Sequence, residues 1–578
     1  MKLIKTVLSG LLVSVVLLLP AVVRAADLEP FLTIKASSIN TLVNVAEKVG
    51  ALGNFADEPP FREVVNAMKD VRGFNLDGDF GIAAVVANDG SLNVVLVLPI
   101  TDLWAADIPA NPEIFGFIRP GLIRRAPDRA DIVSPMGAFT ALQKEGYLVV
   151  APGNIIDQVP ADARTLFADL DKYTLGVKLN LEKVEFETLE ANLFGPMLFV
   201  AMMQDPMMGE QLGNMIDIYR ELYKEFSGLS YGIAFNPQTA DVELAYSISI
   251  REGSDFSKSM AGYKQQPTVF GGFRSTPGNT VLSLGDAGSW TPIDLENNAM
   301  FEAAMKPYEA IFEGIIEQID MDDETGEAAK IARDVIETLK KIYFAEAKRG
   351  ASDYAASFNT DGTLLLAFDT VSLSEIEKLA AMAVGFASRK IGNDFGFDFS
   401  ALRLNYTTVG GFAVSSYKLP IEKIADELPG QNEGLKEFSP GVFWAVKRGQ
   451  TQAVAVAVGL DFAKAEQAFT EALGKTATAV PVQKPIGMLS LRGLGAFLQQ
   501  TIWPAAAKDG APEEIKTIID MLASADADAV IALDCETKGN QIALAYTMSG
   551  KAIQTIVSVV KAAAEMNESA DRPAIRDF

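Results

Sequence analysis

Asp353–Val371 reads DYAASFNTDGTLLLAFDTV. Small and apolar residues lead up to Asn359-Thr360-Asp361-Gly362, and an apolar run leads away. Asp-Gly between two such runs predicts a β-hairpin in which both central turn residues take φ > 0. The same construction returns at Phe80–Ile100 (FGIAAVVANDGSLNVVLVLPI), Tyr231–Ile250 (YGIAFNPQTADVELAYSISI) and Ala529–Met548 (AVIALDCETKGNQIALAYTM). Alternation at Val242, Leu244 and Tyr246 predicts a sheet with one covered face. The uniformly apolar runs Leu364–Phe368 and Val94–Leu98 predict strands that are central or covered on both sides.

Upstream of each hairpin the order of elements is the same. Leu32-Thr33-Ile34-Lys35 alternates as a strand before helical patterns at Ile39–Ala46 and Val64–Met68. Thr174–Leu181 precedes helices at Phe186–Met203 and Gly209–Phe226, and Thr280–Gly285 precedes Phe301–Ile319 and Glu324–Ala347. Gly487–Gly493 precedes Leu494–Ile502 and Glu513–Leu522. In the third set Ile331, Val335, Leu339 and Ile342 share one helix face. These patterns predict an α+β fold of antiparallel sheets with amphipathic helix pairs, built as a diverged internal repeat of strand-helix-helix-hairpin units. Extra strands at Gly146–Pro152, Leu402–Pro420 and Val442–Gly459 suggest that units pair one with two and three with four. The expected organisation is a signal peptide at 1–25, a first repeat-pair domain at 27–262 and a Gly- and Pro-rich linker at 263–279. A second repeat-pair domain at 280–566 and a flexible tail at 567–578 follow.

Composition removes several classes of function. The 578 residues carry a formal charge of −25, which repels nucleic acid and an anionic membrane face. Histidine is absent, so His-dependent triads, His bases and His-ligated metals are excluded. Cys535, the one cysteine, can form neither an intramolecular disulfide nor a thiolate cluster, and its neighbours Asp534 and Glu536 should raise its pKa.

The N-terminus, MKLIKTVLSGLLVSVVLLLPAVVRAA, has Lys2 and Lys5 ahead of an apolar core and a Val23-Arg24-Ala25 cleavage context. It reads as a secretory signal peptide, with an uncleaved anchor as the rival reading. No later stretch approaches a transmembrane span, so the expected location is the periplasm, cell envelope or outside of the cell.

Few motifs carry chemistry. Met197, Met202, Met203, Met207, Met208 and Met215 crowd one stretch, which admits three readings: core packing, a groove for an apolar ligand, or Cu(I) held by thioethers. The acidic run Asp320–Glu327 fails the calcium-loop pattern, because Thr325 and Ile331 stand where Gly and Glu are required. Asp394-Phe395-Gly396 lacks its kinase companions, and Gly493-Leu494-Gly495 lacks the third dinucleotide-binding glycine. Paired carboxylates need no histidine and leave a glycosidase-like hydrolase as an alternative. The four tryptophans, Trp104, Trp290, Trp444 and Trp503, are too spread to suggest a sugar platform.

The export signal, the acidic mature chain and the repeated hairpin/helix-pair units together resemble uncharacterised families of large secreted bacterial proteins. That resemblance implies a compartment and no chemistry. The resulting expectation is a non-catalytic exported envelope protein that binds or scaffolds, in its sharper form an apolar-ligand or lipid carrier, with no cofactor and no metal. Any site should lie where the sheets face their helices.

Overall fold

The computed structural model describes residues 29–52, 56–69, 74–86, 92–100, 121–134, 137–204, 206–274, 279–295, 327–390, 402–427 and 433–570, with 298, 301, 313, 314 and 316. The expected signal peptide, the acidic run before Glu327, Asp394-Phe395-Gly396 and the tail beyond Ala570 lie outside the described residues. Contacts divide the chain into two units, one running to Ser254 with Asn540–Ala545, the other Asp255–Gly539 with Tyr546 onward. The fold is α+β with extensive antiparallel sheet.

The first unit contains β1 (Pro30–Ala36), β2 (Phe80–Val86), β3 (Leu92–Pro99), β4 (Gly121–Ala126), β5 (Arg129–Ser134), β6 (Gly137–Lys144), β7 (Tyr147–Pro152), β8 (Leu175–Asn180), β9 (Phe226–Phe235) and β10 (Val242–Ile250). All neighbours are antiparallel, in the order β4-β5-β6-β7-β3-β2-β1-β8-β9-β10. The second unit contains β11 (Lys264–Gln265), β12 (Thr280–Ser289), β13 (Ala351–Asn359), β14 (Thr363–Thr370), β15 (Arg403–Val409), β16 (Phe412–Lys418), β17 (Gly441–Lys447), β18 (Gln452–Gly459), β19 (Gly487–Ser490) and β20 (Val530–Lys538). Its order is β15-β16-β17-β18-β14-β13-β12-β19-β20, the same path as in the first unit.

The same detail recurs in the helices that follow β8 and β19. Each opens into a wide π turn, at Glu190–Phe194 and at Leu498–Ile502. Pro196 and Pro504 stand two residues beyond. A proline inside a helix has no N–H to donate and clashes with the carbonyl four residues back, so the helix widens where it would otherwise break.

Side-chain size decides what packs on each sheet. On one face of the second unit, Ala367, Ala453, Ala455, Ala457 and Ala445 are all buried. Helix Phe462–Gly474 lies on them through Ala465, Phe469, Ala472 and Leu473. The approach is so close that a Cβ on Gly459 would stand 2.4 Å from the Ala465 Cβ, and one on Gly441 2.2 Å from the Phe462 ring. The corresponding row in the first unit is Gly81-Lys35-Gly176-Gly232, and Phe167, Leu170 and Tyr173 fill the space above its glycines. Lys35, 2% exposed, is held there by Asp79 Oδ2 at 2.9 Å and Asp171 Oδ1 at 3.3 Å.

The Gly- and Pro-rich stretch expected as a linker is packed in its described part. Phe270 and Phe273 are buried in the second unit's core, edge-on to one another. Asp353 fixes this segment by accepting from Thr268 Oγ1 at 2.6 Å and from the Val269 N–H at 2.8 Å. The hairpin turn also differs from expectation: Gly362 has φ +80°, whereas Asp361 does not take a positive φ. The connection is a three-residue loop, closed by Gly362 N–H to Asn359 O and by Thr363 N–H to Asp361 Oδ1. That geometry needs only its last residue in the left-handed region.

Gly459→Val should lower stability by about 1–3 kcal/mol through overpacking against Ala465, read as a lower thermal midpoint. Burial above all raises the Asp353 pKa over its ordinary 3.8. The native state therefore holds that proton more tightly than the unfolded chain does. The stabilising contribution is full below the ordinary value and is lost as pH rises through the native value. Relative to Asp353→Asn, the parent protein should lose thermal stability as pH rises from the ordinary carboxylate range through the raised native value. A flat difference would refute this.

Candidate functional site: an apolar face of the second sheet

Directly paired residues in an antiparallel sheet share a face. Opposite the alanine face, the register therefore lines up three rows. The first is Leu489-Leu282-Phe358-Leu364-Val458-Val442, crossing β19, β12, β13, β14, β18 and β17. The second is Leu284-Ala356-Leu366-Val456-Trp444, and the third begins with Asp286 and Tyr354 before Phe368, Val454 and Val446. The rows stand ~7 Å apart along the strands, and six strands span ~24 Å.

The two faces differ in access to water. Leu365 and Ala367 on the alanine face are buried, whereas Leu282, Leu364 and Val458 in the first row are 47%, 42% and 38% exposed. Leu366, Phe368, Val456 and Trp444 are half-buried, and Val454 in the third row is buried. Large apolar side chains in central strands are normally covered, so their accessibility makes this face the candidate site. A partial roof crosses one end of the first row: Phe497 meets Phe358 edge-on at 4.8 Å, and Thr501 Oγ1 donates to the Thr360 carbonyl at 3.0 Å.

A polar corner closes the third row. Asp286 and Tyr354 are cross-strand neighbours, and the Tyr263 ring lies where a Cβ on Gly288 would be, 2.9 Å from that position. Cys535 belongs to the same face, two residues beyond Leu533, which pairs with Gly487 beside Leu284. Burial first, then the Asp286 carboxylate, pushes the Tyr263 hydroxyl up to about 12. The same two causes raise Tyr354 and the Cys535 thiol. For Cys535 the adjacent Asp534 is the smaller influence, so the raised thiol expected from sequence has a different main source.

The methionine stretch folds as helices Gly195–Gln204 and Pro206–Glu225. Met197, Met202, Met203 and Met215 are 44–75% exposed, so these four side chains are not core. Met207 and Met208 lie in the second helix, their side chains outside the described ones. Gly209 is where the helices touch, because a Cβ there would meet Met202 Cγ at 2.3 Å. The interior of this region comes instead from Phe186, Leu189 and Ile216. Among the described residues, no group of three or more His, Cys, Asp or Glu could hold a metal. No described helix is long and apolar enough to cross a membrane.

The Gly493-Leu494-Gly495 motif resolves as packing. A Cβ on Gly493 would stand 2.2 Å from the Thr280 carbonyl, and one on Gly495 2.1 Å from the Ala523 nitrogen. These glycines let a helix approach a strand and another helix. A cleft of about 1090 Å³ opens beside the alanine face, with Arg274, Asp361, Glu471 and Lys475 in its lining. Its charges are mixed and partly engaged by the chain: Arg274 donates to the Gln483 and Pro485 carbonyls, and Asp361 accepts from Thr363. Asp353, the described acid with a raised pKa, is committed to Thr268 and Val269 rather than to a cleft. The sequence patterns located the apolar strands but not this surface, because face assignment depends on which partner strand lies opposite. No family model, curated protein or solved structure matches the chain.

The two faces predict opposite mutational costs at adjacent positions. Leu365→Ala should cost about 2–5 kcal/mol, as a buried truncation does. Leu364→Ser should cost less than about 1 kcal/mol in chemical denaturation. Equal costs would mean that the first row is covered after all.

Proposed function

We propose that this is an exported, non-catalytic protein that carries an apolar ligand with an acyl-like chain on the Leu282/Leu364/Val458 face of the second unit. The observation that supports this reading is the accessibility of three large apolar residues in a row of central strands. The same reading takes the four strand, helix and hairpin arrangements as diverged copies of one unit, supported by the shared strand order and by the two proline-linked π turns.

The type of ligand follows from what the face offers. Its strands are paired on both sides, so no backbone edge is open to a peptide adding as a further strand. The first two rows present almost no directional polar groups, and their recognition is therefore by apolar area. Each methylene buried contributes about 0.8 kcal/mol before the cost of ordering the chain. A partial roof at Phe497 suits a slender chain better than a folded partner.

The test is lipid extraction and native mass spectrometry of protein purified from its host, followed by titration with a fluorescent fatty-acid analogue. The expected result is one acyl-bearing ligand class and saturable binding. A Leu282→Ser/Leu364→Ser/Val458→Ser variant that keeps its thermal midpoint should bind the analogue at least about tenfold more weakly, equivalent to 1.4 kcal/mol or more. Absence of saturable binding by the parent protein, or unchanged binding by the folded variant, would overturn the proposal.

A further inference from the structure

The apolar rows end at a corner with a different chemistry, and it indicates which end of a ligand would sit there. Asp286 stands in the third row, two residues along β12 from Leu284 and cross-strand from Tyr354. Its Oδ1 accepts from the Ala287 N–H at 2.9 Å and from Gln265 Nε2 at 3.3 Å. Among the described residues it makes no ion pair with a lysine or arginine. This is unusual for the setting, since the neighbouring acids Asp369 and Asp534 both meet a cation, Arg349 and Lys484. The Arg274 side chain passes over Gly285 on the opposite face, its Cδ 2.9 Å from where a Cβ on that glycine would be. It donates there to the carbonyls of Gln483 and Pro485. The sheet thus lies between Arg274 and the Asp286 side chain, so the two interact through charge at a distance and no cation pairs directly with the carboxylate on the apolar face among the described residues.

Two aromatic rings flank that carboxylate. Tyr354 adjoins it across the strand pair, and Tyr263 covers the position above Gly288, the next residue along β12 on the same face. Both phenols stay protonated, so each offers a neutral ring face and an O–H. A carboxylate between aromatic rings attracts a cationic ammonium through direct charge and through the negative ring faces, and repels sulfate, phosphate and carboxylate heads. Cys535 adds a protonated thiol to the same floor and no charge.

We infer that the ligand of this face is an amphiphile with a cationic amine head, seated at Asp286 between Tyr263 and Tyr354, its chain lying along the rows of Leu284, Leu366 and Val456. The inference rests on the apolar-ligand reading and adds the head-group chemistry to it. The chain supplies most of the affinity through apolar burial, and Asp286 supplies the discrimination between heads.

The test uses the full-length protein and three twelve-carbon detergents held below their micelle concentrations: dodecyltrimethylammonium, dodecyl sulfate and dodecyl maltoside. Titration calorimetry should give the ammonium detergent an affinity at least about tenfold above the sulfate. Asp286→Asn should reduce that preference to about threefold or less and leave maltoside binding unchanged. Because the whole chain is acidic, Glu471→Gln, an exposed acid in the cleft on the other face, serves as the control and should change none of the three. Tyr263→Phe and Tyr354→Phe should retain the preference, since the ring faces remain. If all three detergents bind saturably with equal affinity, or if Asp286→Asn and Glu471→Gln act alike, the head-group inference fails while the apolar-ligand reading stands. If none of the three binds saturably, the apolar-ligand reading fails and takes this one with it.

Discussion

Helix Phe462–Gly474 sits on the second unit's sheet at a distance that only small side chains allow, and the rest of that unit follows from this closeness. Ala367, Ala453, Ala455 and Ala457 form a floor on which Ala465, Phe469 and Ala472 rest without intervening bulk. Side chains alternate across a strand, so small residues on the helix side place Leu364, Leu366, Phe368, Val454, Val456 and Val458 on the other. A slip of one residue would drive the leucines into the helix and expose the alanines, which makes the register strongly specified. The accessible apolar face is thus the geometric counterpart of a tightly closed one.

Each unit also ties the segment lying on its small-residue face to the sheet with a polar contact. In the first unit buried Lys35 meets Asp171, which directly follows the helical turn Ala163–Leu170. In the second, Asp353 receives Thr268 and the Val269 N–H just before Phe270 and Phe273 enter the core. Buried charges contribute little net stability, because desolvation offsets much of their attraction. Their effect here is positional, since apolar packing alone would tolerate a shifted segment and a hydrogen-bonded carboxylate would not.

Much of the architecture was legible in the chain. The Asp-Gly hairpin, the apolar runs and the helical periodicities all report local preference, and local preference agrees with the fold at Asn359–Thr370, Phe80–Val86, Leu92–Pro99 and Glu327–Arg349. The misread details share a cause. Gly362 alone takes the positive φ, because a three-residue loop and a two-residue loop have similar composition. Pro196 and Pro504 do not by themselves reveal the π turns that stand beside them at matching places. The Gly- and Pro-rich stretch near 263–279 had a linker's composition, yet Phe270 and Phe273 within it are buried by partners more than eighty residues away. The four described methionines had a core composition but lie on the water side of their helix pair.

By itself, the sequence determined class and exclusions: an α+β chain of hairpins and helix pairs, acidic, without histidine, with a single thiol. These properties depend on composition and on periods of two and 3.6 residues, which neighbours in the chain settle among themselves. Only the tertiary structure decided which face of each strand is covered, that Asp286 and Arg274 lie on opposite faces, and that Leu282, Leu364 and Val458 form one row. Those relations join residues up to 176 positions apart, from Leu282 to Val458, through strand pairing. Pairing partners are chosen by the packing of the whole sheet, so no local stretch of sequence contains them.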